Sequence, residues 1–370
     1  MIKIDYKNES AWIGLPAVEG FAPSNTSVVV YDDELLFQTR YVSYTKHLAS
    51  ELFNPYGFDC NQNYRFDSPY YESRNYRWGV GQGRFEEVVY PSGEDVMFRG
   101  LEDARMVVWD NGLYTYGSRC DKADGRTRIV LYTPSGEEVV VRSPFGCAVE
   151  KNWMAIPDRP MHFVYGFRDY KVVVVKVGED GSCEVLENDG AVNKDWYTAG
   201  DVHFNDIRGG TPLVKIPNGY LAVVHRQEWT YGGYCYRHAV VRFDDRLNLV
   251  DITRWFQFMH PVCEFCTGMA LKDGKVYLTY SVLDCVPMVM EFTLEGLLSL
   301  FGNDDFDTDA TNVLYWEGVM WNLYKSGHVR SAGVLANWFM TLGYETPDLL
   351  ALYQPLLAVD DYMKIKYRKQ

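Results

Sequence analysis

Short apolar runs separated by turn residues fill the chain up to about residue 295. The runs are rich in Val, Ile, Tyr and Phe, which favour strands, and they end at Gly, Asp, Asn or Pro. Tight turns ending in Asn-Gly or Asp-Gly at 110–112, 217–219 and 272–274 join neighbouring runs, which predicts antiparallel hairpins. The predicted strands cover residues 27–31, 35–39, 106–109, 113–117, 129–133, 161–165, 171–177, 213–216, 220–225, 238–243, 269–271, 275–280 and 289–292.

One hairpin shape recurs about every 50–60 residues in this region, with no long helix between the copies. Each copy has an apolar strand, a turn and a strand rich in Tyr, Leu and Val. The recurrence favours the blades of a β-propeller, since every blade is one small antiparallel sheet. A β-sandwich built from the same hairpins is an alternative that the spacing leaves open.

The pattern changes after residue 292, where apolar positions recur at helical spacing over 311–324, 328–342 and 347–359. Gly327 and Gly343 separate these segments. We therefore predict a β domain over residues 1–295 and a helical extension over 296–370. The extension is expected to cover a blade or to dock a partner, and oligomerisation is one such use.

The net charge of −14 argues against broad binding to nucleic acid or to an anionic membrane surface. The eight cysteines include one C-x-x-C pair, Cys263 and Cys266, without the further ligands that a zinc site needs. No run is long enough to span a membrane, and the first residues lack the apolar core of a signal peptide. These features predict a cytoplasmic protein with reduced thiols.

Aromatic residues make up 15% of the chain, and between residues 61 and 87 seven of them alternate with four arginines. Tyr and Trp favour strands, but their flat faces also stack on sugars and bases. The stretch is interpreted first as a strand and loop of the first blade. The alternative is an acceptor platform, on which even a nucleic-acid acceptor would find stacking and phosphate contacts.

Five short polar motifs interrupt the strand pattern, about one for each expected blade. Loops at one end of a propeller converge on its central channel, so motifs far apart in sequence can form one pocket. The motifs are FAPSN at 21–25 with Arg40, RGLEDAR at 99–105, EKNW at 150–153, RGGTP at 208–212 with His225, and CEFCTG at 263–268 with Asp284.

The segment 100–105 resembles the Gly-x-Glu-Asp-Pro-Arg signature of the family-130 glycoside phosphorylases, with Ala104 in place of proline. Segment 264–268 with Asp284 resembles that family's late Phe-Pro-Cys-Gly strand and the hairpin after it, although Cys266-Thr267 replaces the Pro-Cys pair. The remaining motifs are similar to a divergent branch that includes glycosyltransferases. The resemblance covers about residues 20–295 in the right order and implies a five-bladed propeller.

The resemblance also implies inverting glycosyl transfer with Asp103 as the proton donor. The substrate-binding residues that it implies are Arg40, Glu102, Asn152, Trp153, Glu264 and Asp284. Cations near the motifs are candidates for phosphate binding, together with one histidine: Arg105, Arg119, Arg126, Arg128, Lys151, Arg208 and His225. No metal or cofactor is expected, since phosphate or a sugar-nucleotide diphosphate would enter as substrate.

Three hypotheses for function follow. The first is a transferase that moves a sugar from a sugar nucleotide or sugar 1-phosphate to a glycan or another hydroxyl acceptor, a modified nucleic-acid base included. Ala104, the similarity to the divergent branch and the arginine-aromatic stretch favour it. The second is a β-mannoside-type phosphorylase or hydrolase. The third is a non-catalytic sugar-binding propeller, against which the intact Glu102, Asp103 and Arg105 argue.

Overall fold

Five sheets of four or five strands, together with one two-stranded ribbon, make up the β part of the chain. The computed structural model describes residues 10–46, 63–65, 71–79, 84–90, 98–121, 124–168, 171–186, 206–230, 233–258, 263–302, 313–341, 344 and 346–352. Within these residues each sheet is a meander of strands close in sequence, except that the last sheet also takes in the first strand of the chain, and none is half of a two-sheet stack. The all-β, five-bladed fold is confirmed, and the β-sandwich alternative is wrong.

The first blade contains the hairpin predicted at 27–39. Strand β1 (Ser10–Trp12) precedes it but belongs to the last blade. The strands that follow are β2 (Ala22–Tyr31), β3 (Glu34–Val42), the ribbon strands β4 (Tyr44–Lys46) and β5 (Asn63–Arg65), then β6 (Tyr71–Gly79), β7 (Phe85–Val88) and the short β8 (Phe98–Arg99). The two-residue turn between β2 and β3 places Asp32 and Asp33 at positive φ, which aspartate tolerates better than most residues. Blade 1 has the order β2-β3-β6-β7, with β8 alongside β6.

Blades 2 and 3 are four-stranded meanders. Blade 2 consists of β9 (Glu102–Trp109), β10 (Gly112–Cys120), β11 (Thr127–Tyr132) and β12 (Glu138–Val140). Blade 3 consists of β13 (Met154–Ala155), β14 (His162–Arg168), β15 (Lys171–Val177) and β16 (Cys183–Leu186). Trp109 and Tyr116 of blade 2 pack in one apolar cluster with Phe163 and Val175 of blade 3, which holds the two sheets face to face.

Blades 4 and 5 complete the ring. Blade 4 consists of β17 (Arg208–Gly209), β18 (Val214–Ile216), β19 (Gly219–Thr230), β20 (Gly233–Phe243) and β21 (Leu249–Ile252). Blade 5 consists of β22 (Glu264–Lys272), β23 (Lys275–Val282), β24 (Val286–Thr293) and β1. Strand β1 pairs with β24, so the outermost strand of the last blade comes from before the first blade, and backbone hydrogen bonds close the ring.

The innermost strands all begin at the same end of the propeller. Strand β2 packs against both β9 and β22, which places the first, second and last blades around a common axis. The polar motifs either precede these innermost strands or form their first residues. The fold therefore brings the starts of the motifs to one end of the channel.

The described residues 71–79 and 84–87 of the arginine-aromatic stretch belong to blade 1, whereas 63–65 form a strand of the two-stranded ribbon. Tyr76 stacks on Phe85 at 4.7 Å between ring centroids, and Trp78 stacks on Phe37 at 4.2 Å. Arg77 donates to the side chain of Gln38 at 3.1 Å. These side chains are committed to packing within the blade, as the strand interpretation expects. Phe66 and Tyr70 lie outside the described residues.

The helical extension packs against blade 5. Its elements are α1 (Leu294–Leu298), α2 (Val313–Lys325) and α3 (Val329–Thr341), followed by a helical segment at 347–352. Trp316, Met320 and Phe339 belong to the same apolar cluster as Leu278 and Met290 of blade 5. Within the described residues all three predicted segments are helical apart from His328, which precedes α3, whereas 311–312, 342 and 353–359 lie outside them. The extension covers a blade, and the domain boundary at 295 stays a prediction.

We expect Phe339→Ala to lower the free energy of unfolding by about 3–5 kcal/mol, because it leaves a cavity in a core shared by helix and propeller. Phe339 is fully buried between the extension and blade 5. Leu350→Ala is the matched control, at a side chain that is 42% exposed, and should change stability by less than about 0.5 kcal/mol. Urea titration followed by tryptophan fluorescence and far-ultraviolet circular dichroism measures both. Loss of the helical signal alone, with the propeller transition unchanged, would show that the extension folds independently.

Candidate active site

Asp103 stands at the start of β9, at the channel end where the innermost strands begin. Its φ is +50°, an uncommon conformation outside glycine that turns its side chain away from the regular strand pattern. Gly100, three residues earlier, has a φ of +82°, and a Cβ there would lie 1.9 Å from the carbonyl oxygen of Ser73. The signature glycine is thus required because the loop crosses the backbone of β6 at close range.

The Asp103 carboxylate is held by two donors from blade 1. Its Oδ1 accepts from Asn25 Nδ2 at 2.7 Å and from Arg40 Nη1 at 2.9 Å. Burial alone would raise the pKa of Asp103, but Arg40, Arg105, Lys151 and the Asn25 hydrogen bond together hold this pKa below its usual range. In the unliganded protein Asp103 is therefore a carboxylate at neutral pH.

Glu102 forms the second acidic group of the site. Its Oε2 accepts from Lys151 Nζ at 3.0 Å, and its Oε1 lies 3.9 Å from Arg40 Nη1. Burial would lower the pKa of Lys151, but Glu102 and Asp103 reverse this and raise it. Arg40 thus lies between two adjacent carboxylates, and Lys151 carries its full charge beside them.

The Arg105 guanidinium donates hydrogen bonds to groups from three parts of the ring, close to the carboxylates of Glu102 and Asp103. Its side chain is 1% exposed. Nε donates to Gly210 O at 2.7 Å, Nη1 to Asp103 O at 3.0 Å and Nη2 to Asn152 Oδ1 at 3.1 Å. Gly210 must be small, since a Cβ would lie 2.7 Å from Val223 O. The structure therefore gives Arg105 a supporting role, although the sequence had suggested phosphate binding.

His225 lies on β19 directly opposite Arg208 on β17, and opposite His238 on β20. Burial, helped by His238, Arg105 and Arg208, lowers the pKa of His225 well below its usual value, and burial lowers the pKa of His238 to about 3. Both imidazoles are therefore neutral at physiological pH. The Nδ1 of His225 and both ring nitrogens of His238 have no hydrogen-bond partner among the described residues. His225 packs edge-to-face on Phe265 at 4.9 Å, so it belongs to the wall of the channel rather than to its cations.

Two predicted substrate-binding residues are buried supports. Trp153 packs in the cluster between blades 2 and 3 and donates its indole N–H to Glu150 Oε2 at 3.1 Å. Glu264 is buried at the start of β22, where its Oε2 accepts from the backbone N–H of Phe258 at 2.7 Å. Asp284 is half-buried in the turn after β23, at the same end as Glu264 because Val282 pairs with Glu264.

The remaining predicted arginines are not brought to Asp103. Arg119 forms a two-pronged ion pair with Glu138 at 2.8 and 2.9 Å, and Arg128 pairs with Asp124. Arg126 is exposed in the turn before β11. The structure thus assembles Arg40, Arg105 and Lys151 around Asp103, with Arg208 exposed beside His225, as a single group at one end of the channel.

Sequence reasoning missed two contributors to the site. Asn25 lay within a recognised motif, but its bond to Asp103 joins positions 78 residues apart, and only the fold shows it. Ser281 donates to Asn25 from a strand with no distinctive motif around it, so no sequence signal identified it. Within the described ranges, no group of three or more His, Cys, Asp or Glu residues could hold a metal ion.

No protein-family model matches the sequence, and no curated protein does. Several solved structures, in contrast, match the fold of this chain. One is a glycosyl hydrolase from Bacteroides ovatus, with 14% identity, 77% of this chain and 89% of that chain covered, and a TM-score of 0.51. Another represents the family 130 of mannoside phosphorylases, which contains glycoside hydrolases that target β-1,2 mannosidic linkages in Candida mannan. It has 14% identity, covers 77% of this chain and 86% of that chain, and has a TM-score of 0.52.

The chain has the fold of that family. The resemblance expected from the motifs is thereby confirmed at the level of the five-bladed propeller. None of the helices in the described part of the chain is long and apolar enough to cross a membrane. The seven cysteines there, all but Cys60, are free thiols.

The buried imidazoles of His225 and His238, together with His328, whose pKa burial also lowers, predict an acid-labile fold. Below about pH 6.5 the unfolded chain binds a proton at each histidine that the folded chain excludes, so stability falls as the pH falls. The expected slope is up to about 1.4 kcal/mol per pH unit for each of His225 and His238. Urea titrations between about pH 7 and pH 5 measure it. His238→Leu should reduce the slope by up to about 1.4 kcal/mol per pH unit, with His162→Leu as the matched control. A His238→Leu slope equal to that of the unsubstituted protein would contradict the argument.

Proposed function

We propose that this protein is an inverting, glycan-active enzyme that cleaves β-mannosidic linkages by phosphorolysis or hydrolysis, with Asp103 as the proton donor. The observation that carries the proposal is the placement of Asp103. Its carboxylate is held at the channel end by Arg40 and Asn25, with Lys151 close enough to influence its charge. The fold shared with mannoside phosphorylases and hydrolases supports the choice of substrate class.

The chemistry uses one protonatable carboxyl group. The proton of Asp103 passes to the glycosidic oxygen, directly or through a sugar hydroxyl, as the bond from that oxygen to the anomeric carbon breaks. A phosphate oxygen forms the new bond to the anomeric carbon from the opposite face of the sugar. In hydrolysis a water molecule attacks there instead and releases its extra proton to the solvent. In the synthetic direction the ionised carboxylate accepts the proton of the acceptor hydroxyl.

The surrounding cations set the charge of Asp103, so an entering anion changes it. Arg40, Arg105 and Lys151 favour the carboxylate in the unliganded site. A phosphate dianion bound near them offsets part of their field and makes the protonated form of Asp103 more accessible. Phosphate binding thus supplies both the nucleophile and a condition for protonating the acid.

Phosphate needs cations that are not already saturated. Among the described residues the Lys151 ammonium donates one hydrogen bond, to Glu102, which leaves about two further N–H donors. Arg208 is exposed at the start of β17 and forms no ion pair with the described residues. We infer that Lys151 and Arg208 contact the phosphate, while Arg105 supports the floor beneath it.

Sugar hydroxyls need polar partners that the solvent can reach. Glu102, Asn152 and Asp284 are half-buried at the channel end, which suits them to that role. Arg40, Trp153 and Glu264 are buried and would act on the substrate by holding neighbouring groups in place.

The sugar-nucleotide transferase stays a prediction with less support. One argument for it was Ala104, where the signature has proline. The Ala104 side chain is buried in a cluster with Leu101 and Val130, and Asp103 beside it still receives both of its donors. The solved structures of similar fold are named for phosphorylases and hydrolases, which favours cleavage of a glycoside.

Asp103→Asn is expected to lower kcat on a β-linked mannobiose by about 10²–10⁴-fold, because the amide keeps the shape but cannot transfer the proton. Chromatography of released mannose and mannose 1-phosphate measures the rate. Asp110→Asn, in the exposed turn of the same blade, is the control and should leave kcat unchanged. Full activity in Asp103→Asn would remove this residue from the mechanism.

The product distinguishes the reaction types in the same assay. Mannose 1-phosphate formed only with phosphate present identifies phosphorolysis, and free mannose formed without phosphate identifies hydrolysis. Transfer from a sugar nucleotide, with no action on mannosides, would overturn the proposal in favour of the transferase.

Lys151→Ala should weaken phosphate binding by about tenfold or more, since a hydrogen bond to a charged group contributes about 1.5–3 kcal/mol. Calorimetry with inorganic phosphate measures the affinity, which should also fall with added salt. Arg142→Ala removes an exposed arginine that pairs with Asp180 and serves as the control. Equal affinities in both variants would exclude Lys151 from the phosphate site.

A further inference from the structure

Asn25 joins three blades through a single buried amide. It lies on β2 of blade 1 and is 5% exposed. Its Nδ2 donates to Asp103 Oδ1 in blade 2, and its Oδ1 accepts from Ser281 Oγ in blade 5. Ser281 is itself fully buried. A continuous hydrogen-bond chain therefore runs from Ser281 through Asn25 to the carboxylate.

The chemistry of the three side chains determines which group donates in each of these hydrogen bonds. An ionised carboxylate only accepts hydrogen bonds, so the NH₂ group of Asn25 must face Asp103. The amide oxygen then faces Ser281, whose hydroxyl donates to it. The Asp103 carboxylate prevents the amide from flipping, because the flipped orientation would set the Asn25 oxygen against the Asp103 oxygen. Ser281 stabilises the observed orientation by donating to the Asn25 oxygen.

Both donors from blade 1 reach the same oxygen of Asp103. Arg40 Nη1 donates to Oδ1 at 2.9 Å, alongside Asn25, and Arg40 Nε is anchored on Ser73 Oγ at 2.8 Å. Oδ2 receives no hydrogen bond from the described residues, and the Asp103 side chain remains 13% exposed. The two oxygens of the carboxylate are thus chemically distinct.

We propose that Oδ2 is the oxygen of Asp103 that carries and transfers the proton, and that Asn25, backed by Ser281, is the positioning residue that enforces this choice. The inference rests on the proposed function, in which Asp103 transfers a proton. A proton on Oδ1 would point at two donor groups, whereas a proton on Oδ2 leaves both hydrogen bonds intact. When Oδ2 releases its proton to the leaving-group oxygen, the new negative charge strengthens both bonds at Oδ1.

The same network affects the acidity of Asp103, alongside every charged group that faces it. These groups are Arg40 on β3, Glu102 and Arg105 on β9, Lys151 before β13, and the neutral His225 on β19. Removing Asn25 deletes a hydrogen bond to the charged form and leaves these charges in place. The pKa of Asp103 should therefore rise.

The experiment compares Asn25→Ala with the unsubstituted protein by infrared titration in sucrose-stabilised buffer, with circular dichroism confirming that each protein is folded at every pH. Each titration is recorded as a difference spectrum against its own Asp103→Asn counterpart. The carboxyl pKa is expected to rise by about one to two pH units, the equivalent of a lost hydrogen bond to a charged group. If the protein turns over a mannoside, the limb of the pH profile of kcat/KM that reports the Asp103 pKa should move by the same amount. Ser24→Ala is the control, at a buried neighbour on β2 whose hydroxyl has no partner among the described residues.

Ser281→Ala tests the hydrogen-bond chain from Ser281 to Asp103 without changing Asp103 or Asn25. It should raise the same pKa by a smaller amount, and it should have no further effect once Asn25 is alanine. An unchanged Asp103 pKa in both Asn25→Ala and Ser281→Ala would overturn the inference. The infrared readout needs no turnover, so an inactive protein with the expected shift would defeat the proposed function alone. An active one without the shift would defeat the positioning role alone.

Discussion

A carboxylate buried where five blades meet must be matched by donors, because burial without them would drive it to the neutral form. At Asp103 the match comes from several blades: Asn25 and Arg40 of blade 1, the charge of Lys151 before blade 3, and Arg105 of its own strand. Each donor is correctly placed only when its blade is docked. The site is therefore a property of the closed ring, and no single hairpin contains it.

The fold was predictable because its signals are local. Turn sequences such as Asp110-Asn111-Gly112 force positive φ in short hairpins, and alternating apolar residues fill the spaces between blades. The ring closure was not predictable. Strand β1 is three residues long, and its pairing with β24 spans the whole propeller, so nothing near Ser10 in the sequence marks it as part of the last blade.

The site was predictable only in part, for the same reason. The motif around Asp103 singled out this carboxylate, and the structure brings Lys151, Arg105 and Arg40 to it. Arg119 and Arg128 have the same side-chain chemistry and lie near the same motif. They form ion pairs with Glu138 and Asp124, which lie on the same blade. Proximity in sequence could not show which arginines lie beside Asp103 and which form ion pairs elsewhere, because that depends on which carboxylate the folded chain places near each one.

The polar groups of the channel end fall into two layers with different freedom to change. The lower layer is buried and hydrogen-bonded to backbone or to fixed partners: Arg105 on Gly210 O, Glu264 on the N–H of Phe258, and Asn25 between Ser281 and Asp103. Losing any of these leaves an unsatisfied polar group, which is costly. The upper layer, with Lys151 and Arg208, reaches solvent and has few partners to lose. Under the proposed function, a change in the nucleophile from phosphate to water would therefore fall in the upper layer, while the lower layer keeps Asp103 in place.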